Sequence, residues 1–103
     1  MTIRCKKWDV WLARMKFENS AEIKARPVLV LDDSRVFALS LKMTSQGKYS
    51  DCYAVSRWKE AGLTKPTYVR LSKYVRLNND DFIHKIGELH DEDIINLMRL
   101  LPS

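Results

Sequence analysis

The sequence has few of the residues that break a chain or bind metals. Its 103 residues include three glycines, three prolines, two cysteines and two histidines. With so few chain breakers and no repeat or low-complexity segment, we predict a single domain over residues 1–103. Cys5 and Cys52 lack the close spacing of zinc ligands and lie far in sequence from His84 and His90. We therefore expect no metal site, and reduced thiols rather than a disulfide.

Long hydrophobic runs are also missing. No apolar run approaches the ~18 residues that a membrane-spanning helix needs. Residues 1–7 lack the apolar stretch of a secretory signal peptide. The sequence therefore predicts a cytoplasmic protein with no membrane partner. Hydrophobic residues make up 46% of the chain and charged residues 30%, which is the balance of a folded protein and not of a disordered one.

The chain does have positive charge, and that charge is unevenly distributed. Residues 1–79 contain 16 lysines and arginines against 7 acidic residues, a net charge of +9, whereas residues 80–103 carry a net charge of −4. A basic body is typical of proteins that bind a polyanion, since each neutralised phosphate releases counterions. The same charge also suits an ordinary soluble basic protein, and composition alone leaves both interpretations open.

Alternating apolar residues predict a mainly β fold. The alternation is clear in residues 8–17, 35–43 and 67–77, and shorter strands are predicted at 52–56 and 82–87. The aliphatic run at 28–31 has the composition of a strand that is buried on both faces. Five or six short strands at this spacing favour a small antiparallel barrel or sandwich. We assign Trp8, Trp11 and Trp58 to its core or to a dimer interface.

The C-terminal segment changes to the period of an amphipathic helix. Its apolar residues are Ile94, Leu97, Met98 and Leu101. Acidic residues occupy the predicted first turn and Arg99 the last, as the helix dipole favours, and His90 is predicted near the N-cap. This arrangement accounts for the acidic segment without any ligand.

Arg26 stands directly before Pro27 at the start of the buried run. Proline suits the first residue of a strand and biases its predecessor toward extended backbone, so we predict Arg26 at the mouth of the strand. A turn centred near Asp33 would place Arg26 roughly opposite Ser40, with Thr44 about 13 Å further along the same open end. Three roles are open for Arg26: a solvated surface residue, a structural hydrogen-bond donor, or a group that binds an anion.

Four stretches of the chain together resemble a known family. They are WDVWLAR, ARPVLVL, ALSLKMTSQ and IGELHDEDIINLMRLL, in this order. They resemble the MazF/PemK family, the endoribonuclease toxins of bacterial toxin–antitoxin systems, over about residues 7–101. The resemblance implies an SH3-like antiparallel barrel with a C-terminal α-helix that works as a homodimer. It also implies an acidic antitoxin partner, and cleavage of single-stranded RNA through 2′-hydroxyl attack without metal or cofactor.

The resemblance also implies catalytic residues. In the family the arginine before proline and the threonine at the end of the following strand carry catalysis, and they correspond to Arg26 and Thr44. A guanidinium and a hydroxyl suit this chemistry, because charge builds on the phosphoryl oxygens as the 2′-hydroxyl attacks. Arg26 is assigned to phosphate stabilisation, with proton donation as a second role, and Thr44 to hydrogen bonding of the same phosphoryl group. The general base is left unassigned.

Further residues are candidates for RNA binding. The substrate-binding candidates are Arg70, Ser45, Gln46, Lys24, Lys48 and Lys73, and the base-stacking candidates are Tyr49, Tyr68 and Tyr74. For each of them a plain surface or core role is the alternative.

The chain departs from the family pattern at three places. Trp8 stands where members usually have glycine, the first long loop at 19–24 contains no glycine, and Ser72 stands where some members have the aspartate of Arg-x-Asp. One alternative is therefore a catalytically silent relative that binds nucleic acid or a partner protein through the same face. The other is a purely protein-binding SH3-like adaptor. Salt-dependent RNA binding without products would indicate the first, and no nucleic-acid binding at low salt the second.

Overall fold

The computed structural model describes residues 5–16, 23–33 and 38–101. The elements are β1 (Asp9–Lys16), β2 (Ile23–Asp32), β3 (Ala38–Thr44), β4 (Cys52–Ala54), β5 (Tyr68–Leu77), a 3-10 turn (Asn79–Asp81), β6 (Phe82–Glu88) and α1 (Asp91–Leu100). The six strands pair antiparallel in one sheet of order β4-β5-β3-β2-β1-β6. The predicted mainly β fold with a C-terminal helix is confirmed. In the described part of the chain, no helix has the length and apolar content to cross a membrane.

The aliphatic run predicted to be buried on both faces lies at the centre of the sheet. Val28, Leu29 and Val30 of β2 are fully buried. Leu29 belongs to a cluster of buried residues that includes Val10 and Leu41, which we call the main core. Val30 and Val28 each belong to one of two smaller clusters. Because side chains alternate along a strand, this division places apolar contacts on both faces of β2. The prediction from the β-branched composition is confirmed.

Helix α1 covers the main core through Leu97, which is fully buried. His90 is its N-cap, and its Nδ1 accepts a hydrogen bond from the backbone N–H of Glu92 at 3.0 Å. The acidic first turn and Arg99 in the last turn are as predicted. Trp8 and Trp58 pack against the main core, and Trp11 packs against the smaller clusters, so the core assignment of the tryptophans is confirmed.

Trp8 adopts a backbone conformation that favours glycine. Its φ is +74°, in the left-handed region that a residue with a Cβ adopts only at a cost. Two backbone hydrogen bonds hold it there: its N–H donates to Val30 O at 2.7 Å, and its carbonyl accepts from Leu89 N at 2.9 Å. Hydrogen bonds and indole packing therefore hold this chain in a conformation that glycine adopts without that cost.

The segment after β4 lies against β6, at the other end of the sheet. A Cβ added to Gly87 would lie 2.2 Å from the carbonyl oxygen of Ala61, and one added to Gly62 would lie 2.4 Å from that of Ile86. Gly62 also has a φ of +87°. The backbone around Gly62 therefore packs directly on the backbone around Gly87. No strand pairing joins the two ends of the sheet among the described residues, where β4 and β6 are the edge strands.

We expect Gly87→Ala to lower the free energy of unfolding by about 1–3 kcal/mol, because the added methyl group forces these two backbone segments apart. Urea unfolding followed by circular dichroism measures this. Glu88→Ala, at the exposed next position, is the control and should change stability by less than about 0.5 kcal/mol. Equal stability of Gly87→Ala and the unsubstituted protein would show that the contact is not a constraint on the fold.

The predicted start of β2 is wrong. The strand begins at Ile23, so Arg26 and Pro27 lie inside it, paired with residues of β1. The ladder between β2 and β3 begins only at Val28. Pro27 therefore lies where β2 has a partner strand on one side, and a missing N–H is tolerated there.

The predicted register of the β2–β3 hairpin is also wrong. Ser40 pairs with Val30, four residues further along β2 than its predicted partner Arg26. Five residues, 33–37, separate the two strands in the sequence, and the described ladder is irregular next to Asp32. Continued toward the open end, the observed register sets Arg26 level with Thr44.

Candidate functional site

A cavity of about 430 Å³ lies at the open end of the β2–β3 pair, where the two strands stop pairing. We call it the Arg26 cavity. It is lined by Ala25, Arg26, Pro27, Met43, Thr44, Ser45, Gln46, Lys65 and Thr67. Four of the predicted site residues, which come from two segments of the chain, thus line one cavity.

The Arg26 side chain is exposed on the wall of this cavity, and its Nη1 donates a hydrogen bond to the carbonyl oxygen of Ala25 at 2.9 Å. This bond uses one of the five N–H donors of the guanidinium. The following Pro27 fixes its own φ and restricts the backbone of Arg26 to extended conformations. The side chain is therefore attached to a stiff piece of backbone beside the cavity.

Thr44 forms the facing wall as the last residue of β3, where it pairs with Tyr68 of β5. Its Oγ1 accepts a hydrogen bond from the backbone N–H of Gln46 at 3.1 Å. A hydroxyl group can accept and donate at the same time. The bond from Gln46 therefore orients the hydroxyl and leaves its proton as a donor.

Lys65 and Thr67 also line the cavity, and neither was among the residues predicted from the sequence. The hydroxyl of Thr67 donates to the carbonyl oxygen of Lys65 at 2.9 Å, and Thr67 is buried, so this bond holds the segment that presents Lys65. A signal was present in the sequence: Lys65 precedes Pro66 just as Arg26 precedes its proline. Among the described lining residues the charged ones, Arg26 and Lys65, are both positive, so the cavity favours an anion.

A second cavity of about 400 Å³ adjoins the first and shares Pro27, Lys65 and Thr67 with it. Its other lining residues are Leu12, Gly62, Leu63, Thr64, His84, Lys85 and Ile86. The shared wall makes the two cavities neighbouring parts of one groove, with a cationic part around Arg26 and a part in which aliphatic side chains are more frequent.

Arg70 lies in a separate cluster with Asp51. Its Nε donates to Oδ1 of Asp51 at 2.9 Å, and the Ser72 hydroxyl and backbone N–H donate to Oδ2 at 2.5 and 3.2 Å. The pKa of Asp51 is lowered to about 2, first by the Ser72 hydroxyl and then by Arg70. Ser72 stands where some members of the resembled family have the aspartate of Arg-x-Asp, and here Asp51, from the segment before β4, supplies a carboxylate beside Arg70.

The guanidinium of Arg70 also stacks on an aromatic ring. Its Cζ lies 3.7 Å from the ring centroid of Tyr49, and the ammonium group of Lys48 lies 5.6 Å from the same centroid. Cations at these distances are attracted to the negative face of the ring. Two of the predicted RNA-binding residues, Lys48 and Arg70, are therefore gathered around Tyr49.

The sequence profile of the PemK-like, MazF-like toxins of type II toxin–antitoxin systems matches residues 6–102. The chain belongs to this family. A search of curated proteins finds no significant match to it. The profile covers nearly the whole of this PemK-like chain, so the resemblance noted from the four sequence stretches is confirmed, and a toxin of such a system implies an antitoxin partner.

The remaining candidates of the PemK-like chain lie outside both groups. Lys24 is exposed on β2 and Lys73 is half-buried on β5, and neither lines the Arg26 cavity. The ring of Tyr68 packs against Gly47, where an added Cβ would lie 2.6 Å from it. Tyr74 is exposed, but it pairs with Leu41, on the half of β5 away from the cavity.

Proposed function

We propose that this PemK-like chain is a sequence-specific, metal-independent endoribonuclease that cleaves single-stranded RNA. The observation that carries the proposal is the placement of Arg26 and Thr44, from two neighbouring strands, on the walls of one cavity whose described charged residues are positive. The net charge of +9 in residues 1–79 supports a polyanionic substrate.

The residue types suit transesterification at phosphorus. The 2′-oxygen forms a bond to phosphorus and the bond to the 5′-oxygen breaks, which gives a 2′,3′-cyclic phosphate and a 5′-hydroxyl. Negative charge increases on the non-bridging oxygens during this step. The Arg26 guanidinium offers paired N–H donors to those oxygens, and the Thr44 hydroxyl donates a further hydrogen bond. Lys65 adds a second positive charge to the same cavity.

In this step one proton leaves the attacking 2′-hydroxyl and one reaches the departing 5′-oxygen. The described lining residues of the Arg26 cavity include no histidine and no carboxylate, and His84 lines the adjoining cavity. We assign to the protein the stabilisation of charge, which is commonly the largest single contribution to catalysis, and leave the general base unassigned.

We also propose that the chain forms a homodimer and binds an acidic antitoxin. The family description supports an antitoxin partner, and the basic body is complementary in charge to an acidic protein. The outer face of α1 leaves Ile95, Met98 and Leu100 more than half exposed, and apolar surface of this kind is typical of protein contacts. Light scattering of the purified chain measures the oligomeric state, and a monomer at all concentrations would contradict the dimer.

The purified protein should cleave a pool of single-stranded RNA in EDTA, because neither Arg26 nor Thr44 needs a bound ion to stabilise the phosphoryl charge. Electrophoresis should show discrete fragments that carry 5′-hydroxyl ends. The matched control is the same RNA with 2′-O-methyl groups, which lacks the nucleophile and should stay intact. Full-length RNA after prolonged incubation, or cleavage of the 2′-O-methyl substrate, would rule the proposal out, and RNA binding without products would indicate a silent relative.

A further inference from the structure

The cluster around Arg70 has a feature that the catalytic proposal does not use. Arg70 is mostly buried, with a side-chain exposure of 17%, whereas Tyr49, which it stacks on, is 40% exposed. The guanidinium thus covers part of the ring of a residue that remains exposed, and the ammonium group of Lys48 lies further off, 5.6 Å from the same centroid. An exposed ring that is held in place offers a flat surface to another flat group.

We propose that Tyr49, stacked on Arg70, is a binding site for one unpaired nucleobase of single-stranded RNA, and that Asp51 is the positioning residue that holds Arg70 in place. The proposal rests on the RNA substrate of the proposed function. It adds a site outside the Arg26 cavity, with a nucleobase as its ligand.

The sheet connects this site to the Arg26 cavity. Thr44, on the cavity wall, pairs with Tyr68 of β5, and Arg70 lies two residues further along that strand. Residues two apart on a strand point to the same face and are about 7 Å apart. The cavity wall at Thr44 and the Arg70 that Tyr49 stacks on are therefore on the same face of two neighbouring strands, and sites for single-stranded nucleic acid span several nucleotides.

The structure distinguishes Tyr49 from the other two candidate tyrosines. Tyr68 is half-buried, and its ring packs against the backbone of Gly47. Tyr74 is exposed but lies on the far half of β5, beyond the irregularity in the β3–β5 ladder. Tyr49 alone of the three combines an exposed ring with a stacked cation close to the cavity.

Asp51 has the contacts of a positioning residue and not of a base. Both of its oxygens accept hydrogen bonds, one from Arg70 Nε and the other from the Ser72 hydroxyl and backbone N–H. A carboxylate engaged in this way stays ionised and is a poor proton acceptor. Its contact with Arg70 fixes the plane of the guanidinium, and that plane supports the Tyr49 ring.

Tyr49→Ala should weaken the binding of a short 2′-O-methyl oligoadenylate about tenfold, which corresponds to about 1.4 kcal/mol. Fluorescence anisotropy with a labelled strand measures this.

Tyr49→Phe keeps the ring and should bind as the unsubstituted protein does. Tyr74→Ala removes an exposed tyrosine elsewhere on β5 and should have no effect. An abasic strand of the same length should bind Tyr49→Ala and the unsubstituted protein equally. Loss with the abasic strand too, or no loss with oligoadenylate, would overturn the proposal.

The substitution Asp51→Asn tests the positioning role, because a positioning residue and a simple negative charge predict opposite changes in RNA affinity. The substitution removes a negative charge, so electrostatics alone would tighten RNA binding. We expect binding to weaken about threefold or more instead, because asparagine has one accepting oxygen where Asp51 has two, so it cannot accept from both Arg70 and the backbone N–H of Ser72. Unchanged or tighter binding would overturn the role of Asp51.

The binding and cleavage experiments test the two proposals separately, because the 2′-O-methyl strand has no free 2′-hydroxyl and its binding can be measured without cleavage. If RNA is cleaved and Tyr49→Ala neither binds nor cleaves differently, the stacking site is wrong and the nuclease proposal stands. If oligoadenylate binding depends on the Tyr49 ring but no RNA is cleaved, the nuclease proposal is wrong and the stacking site stands. If the unsubstituted protein binds no oligoadenylate at low salt, the stacking site is wrong.

Discussion

Arg26→Ala should lower the rate of RNA cleavage at saturating substrate by about a hundredfold to a thousandfold, the range measured when one donor to a developing oxyanion is removed. The reason is that the guanidinium contributes more to the transition state than to the bound substrate, because the phosphoryl oxygens gain charge as the 2′-oxygen attacks. Single-turnover cleavage of a labelled RNA separates this effect from a change in binding.

Charge-matched and shape-matched variants make this test specific. Arg14→Ala removes an equal charge from an exposed arginine on the neighbouring strand β1, outside the Arg26 cavity, and should cleave at nearly the unsubstituted rate. Thr44→Val keeps the shape of the side chain without its hydroxyl and should be slow, whereas Thr44→Ser should retain most activity. Equal losses in Arg14→Ala and Arg26→Ala would show that net charge, and not the cavity, determines the rate.

Asp93→Ala should lower the free energy of unfolding by about 2–4 kcal/mol, measured by urea unfolding. The side chain of Asp93 is fully buried in the first turn of α1. It accepts hydrogen bonds from the Tyr53 hydroxyl at 2.5 Å and from the backbone N–H groups of Ser56 and Arg57 at 2.8 and 2.9 Å. Burial and the Asp93 carboxylate raise the pKa of Tyr53, so its hydroxyl stays a donor. Removal of the carboxylate leaves these donors without a partner.

The matched control for this substitution is Asp91→Ala. Asp91 occupies the same helical turn but is exposed, so its loss should cost only the weak interaction of a surface carboxylate with the helix dipole, about 0.3–1 kcal/mol. A similar loss of stability in the two variants would mean that Asp93 acts through the dipole as well, and that its bonds to the segment after β4 contribute little.

The parts of the fold that depend on periodicity could be predicted from the sequence. The alternation in 67–77 and the aliphatic run at 28–31 gave strands in the right places, because burial of one or both faces of a strand leaves a period that a short window shows. The helix α1 was predicted for the same reason, together with its cap at His90. Each of these is a local property of the chain.

The geometry of the candidate site depends on pairing between distant segments, and the sequence could not determine that pairing. The five residues between β2 and β3, together with the irregularity near Asp32, set a register that brings Arg26 level with Thr44, and no residue type marks such an irregularity in advance. Asp51 meets Arg70 only because the segment before β4 folds onto β5. A carboxylate that is absent from one position of a pattern can therefore be supplied by another part of the chain.

The connection between β2 and β3 has a consequence for the candidate site of this chain. Thr44 is the last residue of β3 and Arg26 lies level with it inside β2, so their alignment is set by the number of residues between Asp32 and Ala38, at the opposite end of the hairpin. A slip of a single residue reverses the face that every side chain of a strand presents. The length of a connector remote from the Arg26 cavity is therefore as much a determinant of the candidate site as the identity of the residues that line it.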